Sequence, residues 1–168
     1  MIFVTVGTHE QQFNRLIETV DKLKEEGILS EEVIVQTGFS TYEPKFCQGH
    51  KLLEYREMVR LVSEARIVIT HGGPSSFIMP LQIGKIPIVV PRQKRYQEHV
   101  NDHQLEFAKA VEERQGNIIV VEEMNELRET ILNYESLIEA MPVEMKSNNK
   151  YFNEQLECIV NEMFKDEK

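Results

Sequence analysis

Five short runs rich in β-branched residues, at 2–6, 33–36, 67–70, 86–90 and 118–121, set the frame of this chain. None alternates apolar with polar, so each reads as a strand covered on both faces, the habit of parallel sheets. The segments between them carry the helical period. Residues 10–26 place Phe13, Leu16, Ile17, Val20 and Leu23 on one stripe. Residues 55–64 do the same with Met58, Leu61 and Val62, and residues 98–114 with Leu105, Ala108 and Val111. Strands alternating with helices predict a single α/β domain, a Rossmann-like doubly wound parallel sheet. Ligands of such sheets sit beyond the carboxyl ends of the strands.

The link 37–54 fits this scheme least well. Thr37-Gly38 ends a strand, Pro44 and Gly49 break any helix, and 51–55 reads as a short extra strand. The domain is expected to close near residue 140, leaving 141–168 as a C-terminal extension. There Pro142 marks a break and Ser147-Asn148-Asn149 caps a new helix. Phe152, Leu156, Ile159, Val160 and Met163 follow at helical spacing. This amphipathic helix either packs on its own domain or docks on a partner chain; the stripe does not say which.

The chain has 168 residues, enough for one domain with a core that needs no disulfide or metal staple. Its net charge of −9 argues against a nucleic-acid partner. The one basic knot, Arg92, Lys94 and Arg95, reads as a contact for a phosphate or an anionic lipid head group. Cys47 and Cys158 have no CxxC partner and read as thiols in a reducing compartment. Residues 2–6 are too short for a signal peptide's apolar region, with His9 and Glu10 close behind. No apolar run approaches the roughly 18 residues of a spanning helix. The expectation is a cytoplasmic protein that reaches a membrane only through its surface or a partner.

Three polar segments follow strand ends. Gly72-Gly73 opens a helix after the run 67–70. Glycine allows close backbone approach, Pro74 suits the first helical position, and Ser75 and Ser76 add hydroxyls. The free N–H groups and positive dipole end of such a helix suit a diphosphate, with His71 beside them. The glycines alone read equally well as a tight turn with no ligand. The second segment is Gln97, Glu98, His99, Asn101, Asp102, His103 and Gln104. Its carboxylates and amides suit sugar hydroxyls, while the plainer reading is the solvated first turn of a helix. The third is Gly7-Thr8-His9-Glu10, where His9 can donate to a phosphate or take a proton. In isolation His9 is more cheaply explained as a surface histidine.

Absences narrow the chemistry. There is no D-x-D pair for a divalent metal, no Cys/His zinc spacing, no G-x-S-x-G elbow, no Walker-type G-K-S/T and no GxGxxG. Hydrolase, P-loop and NAD readings all lose ground.

Taken together, VTVGTHEQQFNRLI, THGGPSSF, GKIPIVVPRQ and EHVNDHQ resemble the C-terminal, donor-binding domain of glycosyltransferase family 28, over residues 1–114. The nearest likeness is to the small bacterial branch of exopolysaccharide and capsule synthesis. That branch is similar to the UDP-sugar-binding subunit of a two-subunit N-acetylglucosamine transferase. The resemblance implies one half of a GT-B fold that holds a UDP-sugar and uses no metal or other cofactor. It assigns the diphosphate to His71, Gly72, Gly73, Ser75 and Ser76, with Gly7 and Thr8 facing the phosphates across the cleft. It assigns the donor sugar to Glu98, His99, Asn101, Asp102 and Gln104, and Gln93, at the end of GKIPIVVPRQ, joins the donor-binding set.

Where many members carry a ribose-binding glutamate, five residues before Gly84, this chain has Met79 and then Pro80. Pro80 should bend its helix. The expected activity is inverting transfer from a UDP-sugar to a lipid-linked saccharide, at the inner face of a membrane, with a membrane-associated partner subunit completing the cleft. His9 is the candidate base in this chain, although in relatives the base tends to lie on the other half. Two rivals stay open: a non-catalytic stabilising subunit of such a transferase, and a sugar-nucleotide epimerase or hydrolase.

Overall fold

The computed structural model describes residues 1–141. The predicted C-terminal helix of the 141–168 extension lies outside them. Element order is β1 (Ile2–Thr5), α1 (Asn14–Glu25), β2 (Val33–Gln36), β3 (Gln48–His50), α2 (Tyr55–Glu64), β4 (Ile67–His71), α3 (Pro74–Gln82), β5 (Ile88–Val90), α4 (His103–Gln115), β6 (Ile119–Val120), α5 (Met124–Leu132) and α6 (Tyr134–Glu139). The strands form one six-stranded sheet in the order β3-β2-β1-β4-β5-β6, with every pairing parallel. β1 lies at the centre, with Thr5 opposite Gln36 of β2 and Thr70 of β4.

Strand side chains alternate between the two faces, and helices cover both. On one face Ile2, Val4, Ile67, Ile69, Ile88 and Val90 pack against Leu16, Ile17 and Val20 of α1, Leu127 and Ile131 of α5, and Tyr134 of α6. On the other, Phe3, Ile34 and Val68 meet Leu61 and Val62 of α2. Further along that face Val89 meets Phe77 of α3 and Ala108 of α4. Each such fully buried side chain contributes about 1.5–3 kcal/mol. This two-sided cover explains why the strands lack polar alternation.

The differences from expectation lie at the edges. The extra strand is β3, a few residues before 51–55, and Tyr55 begins α2 instead. β3 is an edge strand whose residues are mostly exposed, so neither β-branching nor apolar character marks it. Its backbone pairing with Val35 and Gln36 defines it. β5 begins at Ile88 rather than residue 86, because Pro87 has no N–H for the ladder. The helix expected from residue 98 begins at His103, after a short 3₁₀ turn at Lys94–Tyr96 and a left-handed Gln97 (φ 57°). Pro80 lies inside α3, which ends at Gln82 through left-handed Gly84 (φ +77°): the Gly84 N–H donates to the Leu81 carbonyl at 3.1 Å and the Lys85 N–H to the Pro80 carbonyl at 3.0 Å. Among the described residues no helix is long and apolar enough to cross a membrane.

Candidate functional site

Neighbouring strands β1 and β4 send their chains to opposite faces of the sheet, β1 to α1 and β4 to α3. In doubly wound sheets the exit loops diverge at such a switch of direction, and ligands are held in the crevice outside the strand ends there. The Gly7 loop and the His71-Gly72-Gly73 turn therefore meet, as the sequence implied. Gly7 has φ +73°, a left-handed conformation that glycine adopts without strain.

The edge of the His71 ring fills the gap between the two loops. A Cβ on Gly7 would stand 2.4 Å from His71 Cε1, and one on Gly73 would stand 2.5 Å from Nε2. Both positions must be glycine for the imidazole to sit there. Its Nδ1 is buried with no hydrogen-bond partner. Burial, and next the charge of Arg92, push the His71 pKa down to about 4, so the ring is neutral at physiological pH.

The glycine pair divides its work. Gly73 precedes α3 in an extended conformation with no side-chain cap, and Pro74 takes the first helical position as expected. Gly72 faces protein: a Cβ there would lie 2.9 Å from Gln104 Cβ and 3.1 Å from Pro91 Cβ. Glycine at this position is therefore required by the close packing of β4 against α4 and β5. The Ser76 hydroxyl is also committed to the turn, donating to the carbonyls of His71 (3.0 Å) and Gly73 (2.6 Å). Ser75 and Thr8 are exposed at the crevice loops.

The rear wall corrects three further expectations. Arg92 is fully buried. Its guanidinium donates to the carbonyls of Val6, Gln11 and Gln12 at 2.9 Å each and of Glu98 at 3.2 Å, and lies 4.8 Å from the Phe13 ring centroid. It ties the β1 exit loop to the β5 exit loop and is not a surface contact for a phosphate or a lipid. Burial lowers its pKa to about 10, opposed by the Glu98 charge, so it stays cationic.

Glu98 is equally buried. Arg15 grips it with two bonds of 2.9 Å, and the Gln93 amide donates to it at 3.1 Å. Its carboxylate has no face left for a sugar. Gln93 is buried too, with its side chain held between the Glu122 carbonyl (2.9 Å) and Arg95 (2.7 Å). Of the basic knot, Lys94 and Arg95 are exposed, and Arg95 is ion-paired with Glu123.

What remains forms the rim. His9 and His99 lie side by side with ring centroids 4.8 Å apart, bringing the β1 loop to the β5 loop. Asp102 accepts the Lys94 N–H at 2.8 Å, Asn101 accepts the His103 N–H at 3.3 Å, and Gln104 accepts the Arg92 N–H at 3.3 Å. These bonds leave each amide or carboxylate further capacity for a ligand. The His9 pKa is lowered by burial first, then by Arg92 and His99, with Glu10 opposing.

Sequence reasoning missed Arg15 and Asp21. Nothing distinguishes Arg15 from other charges on α1. Asp21 carried a signal: it stands four residues after Ile17, on the buried stripe, where an acid needs partners. It finds them in the Tyr42 hydroxyl and the N–H groups of Lys45, Phe46 and Cys47, all within 2.9 Å.

Residues 1–163 match the glycosyltransferase family 28 C-terminal domain, and the chain belongs to that family. It is 36% identical over 117 residues to the UDP-N-acetylglucosamine transferase subunit ALG13 of Homo sapiens, a match covering 64% of this chain and 10% of that protein. A solved glycosyltransferase of kitacinnamycin shares the fold at a TM-score of 0.55 with 16% identity, over 79% of this chain and 34% of that one. The chain thus corresponds to about a tenth of its curated relative and a third of the solved enzyme.

Proposed function

We propose that this chain is the donor-binding half of a glycosyltransferase, transferring a sugar from a UDP-sugar to a lipid-linked saccharide in exopolysaccharide or capsule synthesis. A membrane-associated partner subunit supplies the acceptor side and brings the chain to the membrane. The observation that carries the reading is the His71 edge wedged between Gly7 and Gly73 at the switch point. An imidazole placed so tightly beside an uncapped helix start serves an anionic ligand. The likeness to the human UDP-N-acetylglucosamine transferase subunit supports both the donor class and the partner.

In the proposed reaction the acceptor hydroxyl attacks the anomeric carbon and inverts it. The bond to the diphosphate breaks, UDP departs with the electron pair, and the hydroxyl proton passes to a base, on the partner or at His9. The developing charge on UDP meets the α3 N–H groups and the rim histidines, without a metal, while the buried Arg92 acts on it only through its field. Preorganised donors of this kind are worth about a hundredfold or more in rate each. The donor-binding set is Gly7, Thr8, His9, His71, Gly73, Ser75, His99, Asn101, Asp102 and Gln104.

The test is UDP binding by calorimetry, on the chain alone and co-expressed with its partner, for the wild type and Gly73→Asp. The backbone at Gly73 (φ −72°, ψ 128°) tolerates any residue. The substitution displaces the His71 edge and puts a carboxylate at the phosphate position, so binding and transfer are expected to vanish while circular dichroism is kept. A Gly73→Asp chain that still binds UDP sinks the site. One observation favours a second reading, the stabilising subunit: Met79 packs on the Phe3–Leu61–Val68 cluster and offers no ribose contact. That reading requires UDP to bind neither the chain nor the complex.

A further inference from the structure

The rim histidines repeat one local arrangement. In the β1 exit loop the Gln11 N–H donates to His9 Nδ1 at 3.2 Å, and in the β5 exit loop the Asn101 N–H donates to His99 Nδ1 at 3.4 Å. A ring whose Nδ1 accepts carries its proton on Nε2 when neutral. Both rings therefore carry an Nε2–H donor, and the rings are neighbours, with centroids 4.8 Å apart and planes tilted by 40°. The loops beneath them are fixed by Arg92, which bonds to carbonyls at Gln11, Gln12 and Glu98.

The charges and titratable groups facing the pair are Arg92 and His71 from neighbouring strand exits and Glu10 on the same loop. The two acids next to His99 are already engaged, Glu98 by Arg15 and Asp102 by the Lys94 N–H. The pair thus lacks a committed counter-ion of its own.

Resting on the donor-site reading, we propose that His9 and His99 form a two-imidazole clamp that grips the diphosphate of a nucleotide-sugar donor and takes up a proton as the anion binds. The proton comes from solvent and sits on the imidazoles, and no bond of the donor is broken. The sign follows from linkage. The empty site holds His9 below its ordinary value. A bound dianion raises it, so the bound state holds more protons, and affinity falls as pH rises between the two values.

The experiment titrates UDP-N-acetylglucosamine, whose diphosphate has no titrating proton near neutrality, into the full chain. Calorimetry in two buffers of different ionisation enthalpy reads the protons exchanged. The wild type is expected to take up protons and to bind more weakly at about pH 8 than at about pH 6. The double variant His9→Gln, His99→Gln keeps an amide donor near each Nε2 but cannot charge. It should lose the uptake and bind roughly tenfold more weakly at the lower pH, approaching the wild type at the higher. Wild-type binding with no proton uptake overturns the clamp, as does uptake that survives in the double glutamine variant. A wild-type chain that binds no UDP-N-acetylglucosamine overturns the donor-site reading beneath it, so the two failures are separable.

Discussion

Arg92 and Glu98 are as polar as Lys94 and His99 and stand one or two residues from them, yet the first pair has no exposed surface, while Lys94 is exposed and His99 lies on the rim beside His9. The rear wall is a sealed network of charge-assisted bonds linking α1 to the exits of β1, β5 and β6. The rim is a set of side chains each held by one bond and open on the remaining side. The contrast teaches that a dense polar cluster after a strand need not be all ligand surface. Half of it builds the mount on which the other half is aimed.

The largest expected effect breaks the wall. Glu98→Ala strands the partly buried Arg15 guanidinium and the Gln93 N–H, and removing one partner of a buried pair costs about 3–5 kcal/mol. Lys94→Ala, four residues away, should stay within about 0.5 kcal/mol of wild type. Urea denaturation of both variants measures the difference. Equal, small losses would mean that the wall is no more structural than the rim.

The next effect separates glycines that look alike in the sequence. Gly7→Ala puts a side chain at φ +73° and against the His71 ring. It is expected to lose about 1–2 kcal/mol of stability from the backbone alone, and donor binding with it. Gly72→Ala presses on Gln104 and Pro91 and should cost about 1–3 kcal/mol from overpacking. Because α4 and β5 absorb that strain, UDP affinity should hold far better than in Gly7→Ala. Urea midpoints and UDP calorimetry on the two variants read these quantities independently. If Gly72→Ala abolishes UDP binding at unchanged stability, Gly72 belongs to the ligand and not to the packing.

Legibility followed burial. Strands β1, β2 and β4 and helix α2 are nearly complete in the residue pattern, because both faces or one stripe are covered and the covered positions are mostly apolar. β3 is illegible because an edge strand with exposed side chains is specified by backbone pairing alone. The site was legible as a place: the glycine loops and the 97–104 cluster converge where the topology said they would. It was not legible as a division of labour. Whether Glu98 faces a sugar or Arg15 depends on a partner 83 residues away, on a helix whose pattern gives no reason to single out Arg15. Gly72 and Gly73 differ only through Gln104, Pro91 and His71, which the fold brings to them.

The smallest effect tests the same division within two adjacent serines. The Ser76 hydroxyl points back into its own turn, toward the carbonyls of His71 and Gly73. Ser76→Ala removes that bond and should cost about 1 kcal/mol of stability, since a part-buried hydrogen bond is worth roughly that much. Donor affinity falls only as far as the turn relaxes. Ser75 is exposed at the helix start, so Ser75→Ala should leave stability within about 0.5 kcal/mol while weakening UDP binding severalfold. Thermal unfolding and UDP titration of the two variants give a crossed pattern, one losing stability and the other affinity. The reverse pattern would place Ser76 at the phosphates, and would require the turn to open its own hydrogen bond when the donor arrives.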